Sequence, residues 1–401
     1  MTFLIRPAQN SDADKLASAR LSSEAFGYSL PTDPGDLGPL DAPGQTMYLA
    51  ERDGVVVGKA RDLHYDSWFG GCVVPTSGVA SVTVATEERG RGTMRAVMLE
   101  LMRGARERGA AVSTLVPTAP AAYRPCGYES ITTYEHLRLP TASLAPVTRG
   151  SGTTRRATAA DRPALAAVYD AWARAQNGPL TRRGPAFGDP DQVFQTHAVT
   201  LALDPAGETV GYAAWKHTGG YYGGGLLEVD DLVATTLDGY RLLLGALGSS
   251  AAVAPTTELL SSGSSGLDLL RLVVPGRSWP AAEIDHYMLA VLDVVAAFEA
   301  RGYVHGIDTT VRFGVGGAPL AGVDGTYELA VEAGRGRCRR LADVVDAGEV
   351  PVFDARGLAL WFAGAQSCAN IAAVGGLTGA PAPGLLDALM GGRQVHIRDS
   401  F

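Results

Sequence analysis

Residues 79–128 read VASVTVATEERGRGTMRAVMLELMRGARERGAAVSTLVPTAPAAYRPCGY, and this stretch decides the fold. A β-branched apolar run ending at Val84 leads into a turn carrying Arg89, Gly90, Arg91 and Gly92. Beyond it, Met94, Val97, Met98, Leu101, Met102 and Ala105 recur at helical spacing and line one face, until Gly109 supplies a stop. The spacing therefore predicts a strand, a basic glycine turn and an amphipathic helix in immediate succession. Such a junction suits phosphate. Unpaired backbone N–H groups and the positive end of the helix dipole face the anion, and glycine lets it come close.

Working outward, VSTLV after Gly109 and ITTYEHLRL after Tyr128 read as strands, Asp12 opens a helix toward Phe26, and MYLAERDGVVVGKARDLHY reads as a hairpin. The class is mixed α/β. The chain has 401 residues, more than one ordinary core holds. PTASLAPVTRGSGTT (140–154) is small, polar and rich in breakers, as a linker is. We expect domains at 1–145, 153–287 and 288–401. The second opens RRATAADRPALAAVYDAWARA, an echo of IRPAQNSDADKLASARLSSEA near the start. A further echo pairs SVTVATEERGRGTMRAV with DDLVATTLDGYRLLL, which points to an internal duplication. The second copy offers only Asp238-Gly239 at its turn, and an aspartate there repels phosphate. The third domain is expected to open with a helix over MLAVLDVVAAFEARGY and to continue through strand-like YELAVEAG and RCRRLADVV into Ala/Leu-rich helices.

Composition narrows the partners. A formal net charge of −8 argues against nucleic acid and is compatible with a cationic substrate. The N-terminus lacks a secretory pattern, and no apolar window approaches the roughly eighteen residues of a membrane span, so a cytoplasmic protein is expected. The four cysteines, Cys72, Cys126, Cys338 and Cys368, are scattered without metal-ligand spacing; we read them as free thiols and expect no metal. Cys126 has no histidine near it in sequence to make it a nucleophile.

The combination of VTVATEERGRGTM with AAYRPCGY about thirty residues on resembles the GCN5-related N-acetyltransferases (GNAT). In that family an R/Q-x-x-G-x-G/A turn grips the pyrophosphate of acetyl-CoA. Arg89-Gly90-Arg91-Gly92-Thr93-Met94 matches it, with Met94 in place of the usual small residue. The resemblance implies that Val82, Thr83 and Val84 pair their strand edge with the pantetheine arm. It also implies that Arg89, Gly90, Arg91, Gly92, Thr93, Met94 and Arg95 hold the pyrophosphate, and that Thr118 and Ala119 line the same site. Tyr123, four residues ahead of Gly127-Tyr128, becomes the acid that protonates the departing thiolate. A phenol with pKa near ~10 can do so at neutral pH. Packing is the alternative for Tyr123 and our reading for Tyr128. Glu24 and Asp399 are candidate acidic contacts for the acceptor, and Phe26, Tyr28 and Trp68 are candidate pocket walls or core residues.

The layout of the whole chain resembles the Eis (enhanced intracellular survival) acetyltransferases: a GNAT domain, a degenerate GNAT-like domain and a domain similar to sterol carrier protein. In those enzymes the α-carboxylate of a terminal phenylalanine is the general base, and this chain ends Asp399-Ser400-Phe401. Without the resemblance a chain end is read as frayed. The resemblance implies acetyl transfer to primary amines of aminoglycoside-type or other polycationic molecules, with lysine side chains or polyamines as alternatives, and a homo-oligomer, typically a hexamer. Rival readings are a non-catalytic acyl-CoA-binding protein and a lipid carrier.

Overall fold

The computed structural model describes residues 2–31, 33–147, 150–189, 191–220, 224–263, 270, 272–274, 281–342, 350–379 and 383–401. The first copy runs β1 (Phe3–Pro7), α1 (Asp12–Phe26), β2 (Gln45–Arg52), β3 (Val55–Phe69), β4 (Cys72–Val84), α2 (Thr93–Glu107), β5 (Val112–Leu115), a single turn α3 (Pro120–Tyr123) and β6 (Glu129–Pro140). Local chemistry explains these elements. The Ser11 hydroxyl accepts from Asp14 N–H to start α1, and Gly27, at φ 72°, ends it by donating to Ser23 O. On α2, Val97, Met98, Leu101, Met102 and Ala105 are all buried, so the face read from the sequence is the core face. Each large apolar side chain there contributes about 1.5–3 kcal/mol by burial.

The second copy repeats the order: β7 (Thr153–Arg156), α4 (Arg162–Arg174), a short α5 (Gln192–Thr196), β8 (Ala198–Leu203), β9 (Thr209–Thr218), β10 (Leu226–Ala234), α6 (Leu237–Gly248) and β11 (Thr256–Ser262). The ladders repeat as well. β1–β2, β2–β3 and β3–β4 are antiparallel and β4–β5 parallel; β7–β8, β8–β9 and β9–β10 are antiparallel and β10–β11 parallel. The duplication inferred from two short sequence echoes is thus present in topology. The two copies share one twelve-stranded sheet.

The expected opening of the third domain is corrected. Residues 288–291 continue a strand, β12 (Ala281–Val291), and the helix α7 (Val294–Ala300) begins only where the Asp293 carboxylate accepts from Ala296 N–H. β12 lies between β5 and β6, with Met288 opposite Leu115 and Leu289 opposite both Thr114 and Glu129. A boundary at 287/288 cuts this strand, which completes the sheet of the first copy. Tyr287 through Leu292 are buried without a break, and a strand covered on both faces has no period-two signature to separate it from a helix.

The C-terminal block adds β13 (Thr309–Val315), β14 (Gly325–Glu332), β15 (Arg335–Ala342), β16 (Val352–Phe353), α8 (Ala355–Ala363), α9 (Cys368–Ala373), β17 (Leu377–Thr378) and α10 (Pro383–Met390), with the strands in a second sheet. Strand-like YELAVEAG and RCRRL fall on β14 and β15; the end of RCRRLADVV and part of the 140–154 linker lie outside the described residues. Its core is aromatic: Phe353 stacks on Trp361 at 4.7 Å, and Phe298 and Phe313 meet Trp361 at 5.1 Å each. This core is continuous with that of the first copy. No helix among the described residues is long and apolar enough to cross a membrane.

Candidate active site

β4 and β5 pair only at Thr76–Val112, Ser77–Ser113 and Gly78–Thr114. Beyond Gly78 the strands part, and β4 keeps its other neighbour alone, reaching Thr83 opposite Lys59 and Val84 opposite Gly58. Between Ala80 and Thr83 the register slips by a bulge, and Ser81 sits there at φ 53°, in a region that costs a non-glycine residue energy. One backbone edge of Val79–Val84 therefore faces an open cleft instead of a strand. An extended chain with amide groups can complete that ladder.

The turn at the end of β4 leaves its backbone open. Gly90 and Gly92 adopt φ 77° and 81°, the left-handed region where a side chain is strained. Gly92 is the cap residue of α2, and no side chain caps the helix; its first turn holds no acidic residue. The first N–H groups of α2 are thus left for an outside acceptor. The arginines divide their roles. Arg91 turns back to Glu88 at 3.2 Å, and buried Glu88 is also bound by Arg52 at 2.9 Å, so this pair braces the turn. Arg89 and Arg95 are exposed. Thr93 is buried, and Met94 and Val82 are partly buried against the core, which accounts for a large residue at position 94.

Across the cleft, Thr118 and Ala119 are exposed in the loop after β5, and Ala119 starts α3. Tyr123, at the end of α3, is buried, and burial pushes its phenol up to about 12. Its hydroxyl makes no hydrogen bond among the described residues, whereas the hydroxyl of fully buried Tyr128 is taken up by Ser113 Oγ at 2.7 Å. Cys126 is buried and its thiol is pushed up to about 11, the opposite of an activated nucleophile. Among the described residues no group of acidic, His and Cys side chains is placed to hold a metal.

The chain end is not frayed. Asn177 N–H donates to Gln394 O at 2.9 Å, His396 N–H to Asn177 O at 3.0 Å, and Ile397 N–H to Ser262 Oγ at 2.7 Å. Arg398 reaches Leu260 O at 2.6 Å, and Arg182 binds Asp399 at 2.9 Å. This lacing carries the Phe401 ring to within 5.1 Å of Tyr65 and 6.3 Å of Tyr287. A Cβ added to Gly78 would lie 3.0 Å from Phe401 Cε2. The terminal ring thus packs where β4 and β5 part.

Several expected neighbours are elsewhere. Trp68 is buried against α4 and β9 with Arg174 over its ring, so it packs the junction of the two copies. Asp399 is held by Arg182 and Tyr169 instead of facing an acceptor. Glu24 is exposed beside Arg20, and Phe26 and Tyr28 are exposed and touch each other at 5.8 Å. Sequence reading missed Gly78, Tyr65 and Tyr287, which carry no motif, and Arg182. For Arg182 the available signal was its partner Asp231, a charge inside the apolar run of the second echo.

The second copy lacks this equipment. Thr236 Oγ1 caps α6 by accepting from Gly239 N–H, and Asp238 occupies the first turn, so that helix start is closed to phosphate.

A parted central strand pair, an uncapped helix start behind a glycine turn and a free phenol define an N-acetyltransferase of the GNAT fold. An acetyltransferase (GNAT) domain model matches residues 4–131, and a sterol carrier protein domain model matches 294–398. An uncharacterized N-acetyltransferase of Streptomyces avermitilis is 28% identical over 336 residues, covering 76% of this chain and 75% of that one. N-acetyltransferase Eis of Mycobacterium tuberculosis is 27% identical over 293 residues, covering 67% of each. Among solved structures, a GCN5-related N-acetyltransferase from Kribbella flavida superposes with TM-score 0.80 at 26% identity over 100% of this chain and 99% of that one. Eis1 from Mycobacterium abscessus shares the fold, with TM-score 0.77 at 24% identity over 100% of both chains. The chain is an Eis-like member of the GNAT family.

Proposed function

We propose that this N-acetyltransferase moves the acetyl group of acetyl-CoA to a primary amine of a small polycationic molecule of the aminoglycoside type. The observation that carries the reading is the cleft opened beyond Gly78 with the terminal Phe401 ring packed at its apex. The pantetheine arm extends along Val82–Val84, and the pyrophosphate lies on the turn from Arg89 to Arg95, with Thr118 and Ala119 opposite. The acceptor ammonium gives a proton to the Phe401 carboxylate. A carboxylate of ordinary pKa near ~3.5 is a weak base, and partial desolvation in the cleft strengthens it. The amine then attacks the thioester carbon, and N–H groups of Val82–Val84 steady the developing oxyanion. A C–N bond forms and the C–S bond breaks; Tyr123 protonates the leaving sulfur, the second proton shed by the acylated nitrogen returns to the Tyr123 phenolate through water, and the Phe401 carboxyl releases its proton to solvent.

An open cleft and a net negative chain suit a multiply charged acceptor. The proposal extends to a cytoplasmic homo-oligomer, hexameric by family likeness, which sedimentation would measure. The test is free-thiol release from acetyl-CoA with aminoglycosides, polyamines and lysine peptides in parallel. Release with aminoglycosides in excess of the others is expected. Release confined to peptides or polyamines reassigns the acceptor, and no release with any amine overturns the reading.

A further inference from the structure

The second copy keeps the parted strand pair of the first. β10 and β11 pair from Leu226–Thr256 to Val229–Leu259 and no further, and β10 carries a bulge between Val229 and Asp231. Asp231 stands beside that bulge as Val82 stands beside that of β4, in the matched strings Asp231-Leu232-Val233-Ala234-Thr235 and Val82-Thr83-Val84-Ala85-Thr86. The second opening is occupied by the chain's own tail. Ile397 and Arg398 bind Ser262 and Leu260 on the β11 side, and Asp399 is joined to Asp231 on the β10 side through a single guanidinium, that of Arg182.

Arg182 is built in with unusual completeness. Its Nε donates to Asp399 Oδ1 at 2.9 Å, and its Nη1 donates to Asp231 Oδ2 at 2.6 Å and to the Tyr212 hydroxyl at 3.0 Å. Its guanidinium lies 4.0 Å over the ring of Tyr169, whose hydroxyl donates to Asp399 Oδ2 at 3.1 Å. Its backbone is at φ 54°, a conformation that an arginine keeps only where surroundings enforce it. Asp399 and Asp231 are two carboxylates drawn to one cation. Without Arg182 they repel each other, and the tail loses its anchor two residues before its end.

We infer that Arg182 is a positioning residue for acetyl transfer: the second copy, its donor site closed, serves as the clamp that sets the Phe401 carboxylate at the cleft of the first. The inference rests on the reading that this carboxylate takes part in the reaction. Arg182 acts through Asp399 and touches neither donor nor acceptor. A misplacement on the order of 1 Å in a reacting group costs about 100-fold in rate, which is the loss expected.

Arg182→Gly tests this without backbone strain, since glycine accepts the left-handed conformation. Its kcat should fall about 100-fold while KM for acetyl-CoA stays as in the wild type, because the donor edge is untouched. The clamp also opens on a cavity of about 700 Å³ lined by Arg182, Asp231 and Tyr169, and the Arg182 side chain is 27% exposed. Millimolar methylguanidine can therefore reach the vacated place. It should restore at least several-fold activity to Arg182→Gly and none to a chain lacking Phe401. Asp399→Asn, which keeps the shape and one accepting oxygen but removes the charge, should lose activity in the same direction if Arg182→Gly proves unstable. If the chain lacking Phe401 is fully active, the parent reading fails. If that chain is inactive while Arg182→Gly or Asp399→Asn keeps wild-type kcat, the clamp is overturned and the parent reading stands.

Discussion

In the proposed reaction, Tyr123 is the residue on which the chemistry turns most simply. Burial holds its phenol up at about 12, so it stays protonated throughout the physiological range and imposes no alkaline limb there. Tyr123→Phe should lower kcat by roughly 10²–10⁴-fold with KM for acetyl-CoA unchanged. An alkaline limb near neutral pH that disappears in the variant would contradict this assignment. Gly78 is as constrained. A Cβ there would lie 2.5 Å from Tyr65 Cδ2 and 3.0 Å from Phe401 Cε2. Gly78→Ala should cost about 1–3 kcal/mol by denaturant unfolding and should lower kcat by displacing the terminal ring; wild-type kcat in this variant would detach Phe401 from the site. The glycine turn and Tyr123 were legible because each belongs to a short local pattern. Gly78, Tyr65 and Tyr287 were not, since what distinguishes them is a meeting across three strands and the chain end.

Among the elements, α1 follows its Ser11 cap, the β2–β3 hairpin its Asp53-Gly54 turn and α2 its apolar spacing. β12 does not, because a strand buried on both faces and a buried helix share one apolar run. The tail is the other element whose placement no local signal announces. His396 is buried in it, bound to Ser262 Oγ, edge-on to Trp172 at 5.1 Å and close to Arg398. Burial, reinforced by Arg398, holds its imidazole well below its ordinary value, so it is neutral when folded. In the unfolded chain it takes a proton below about 6.5. Its contribution is therefore complete above that pH and is lost as the pH falls below it. Stability should decline with acidification by up to about 1.4 kcal/mol per pH unit, and His396→Gln should remove that component. Identical pH slopes for the two proteins in urea unfolding would contradict it.

At the scale of the molecule, the first copy is completed from far along the chain. β5 and β6 have no ladder between them without β12, and the core behind them continues into the C-terminal block. A fragment of residues 1–145 should lack fixed tertiary structure by near-UV circular dichroism and fail to bind acetyl-CoA; a folded, binding fragment would contradict the topology. On the proposed reading the same long-range economy explains the duplication: one copy holds the donor edge, and the other gives its opening to the tail. The most direct measurement replaces the Phe401 carboxylate by a carboxamide through semisynthesis, which keeps the ring and its packing and removes the charge. Thiol release with a polycationic amine should fall by about 10²-fold or more with acetyl-CoA binding intact. An amide-terminated chain that transfers acetyl at the wild-type rate would contradict the account.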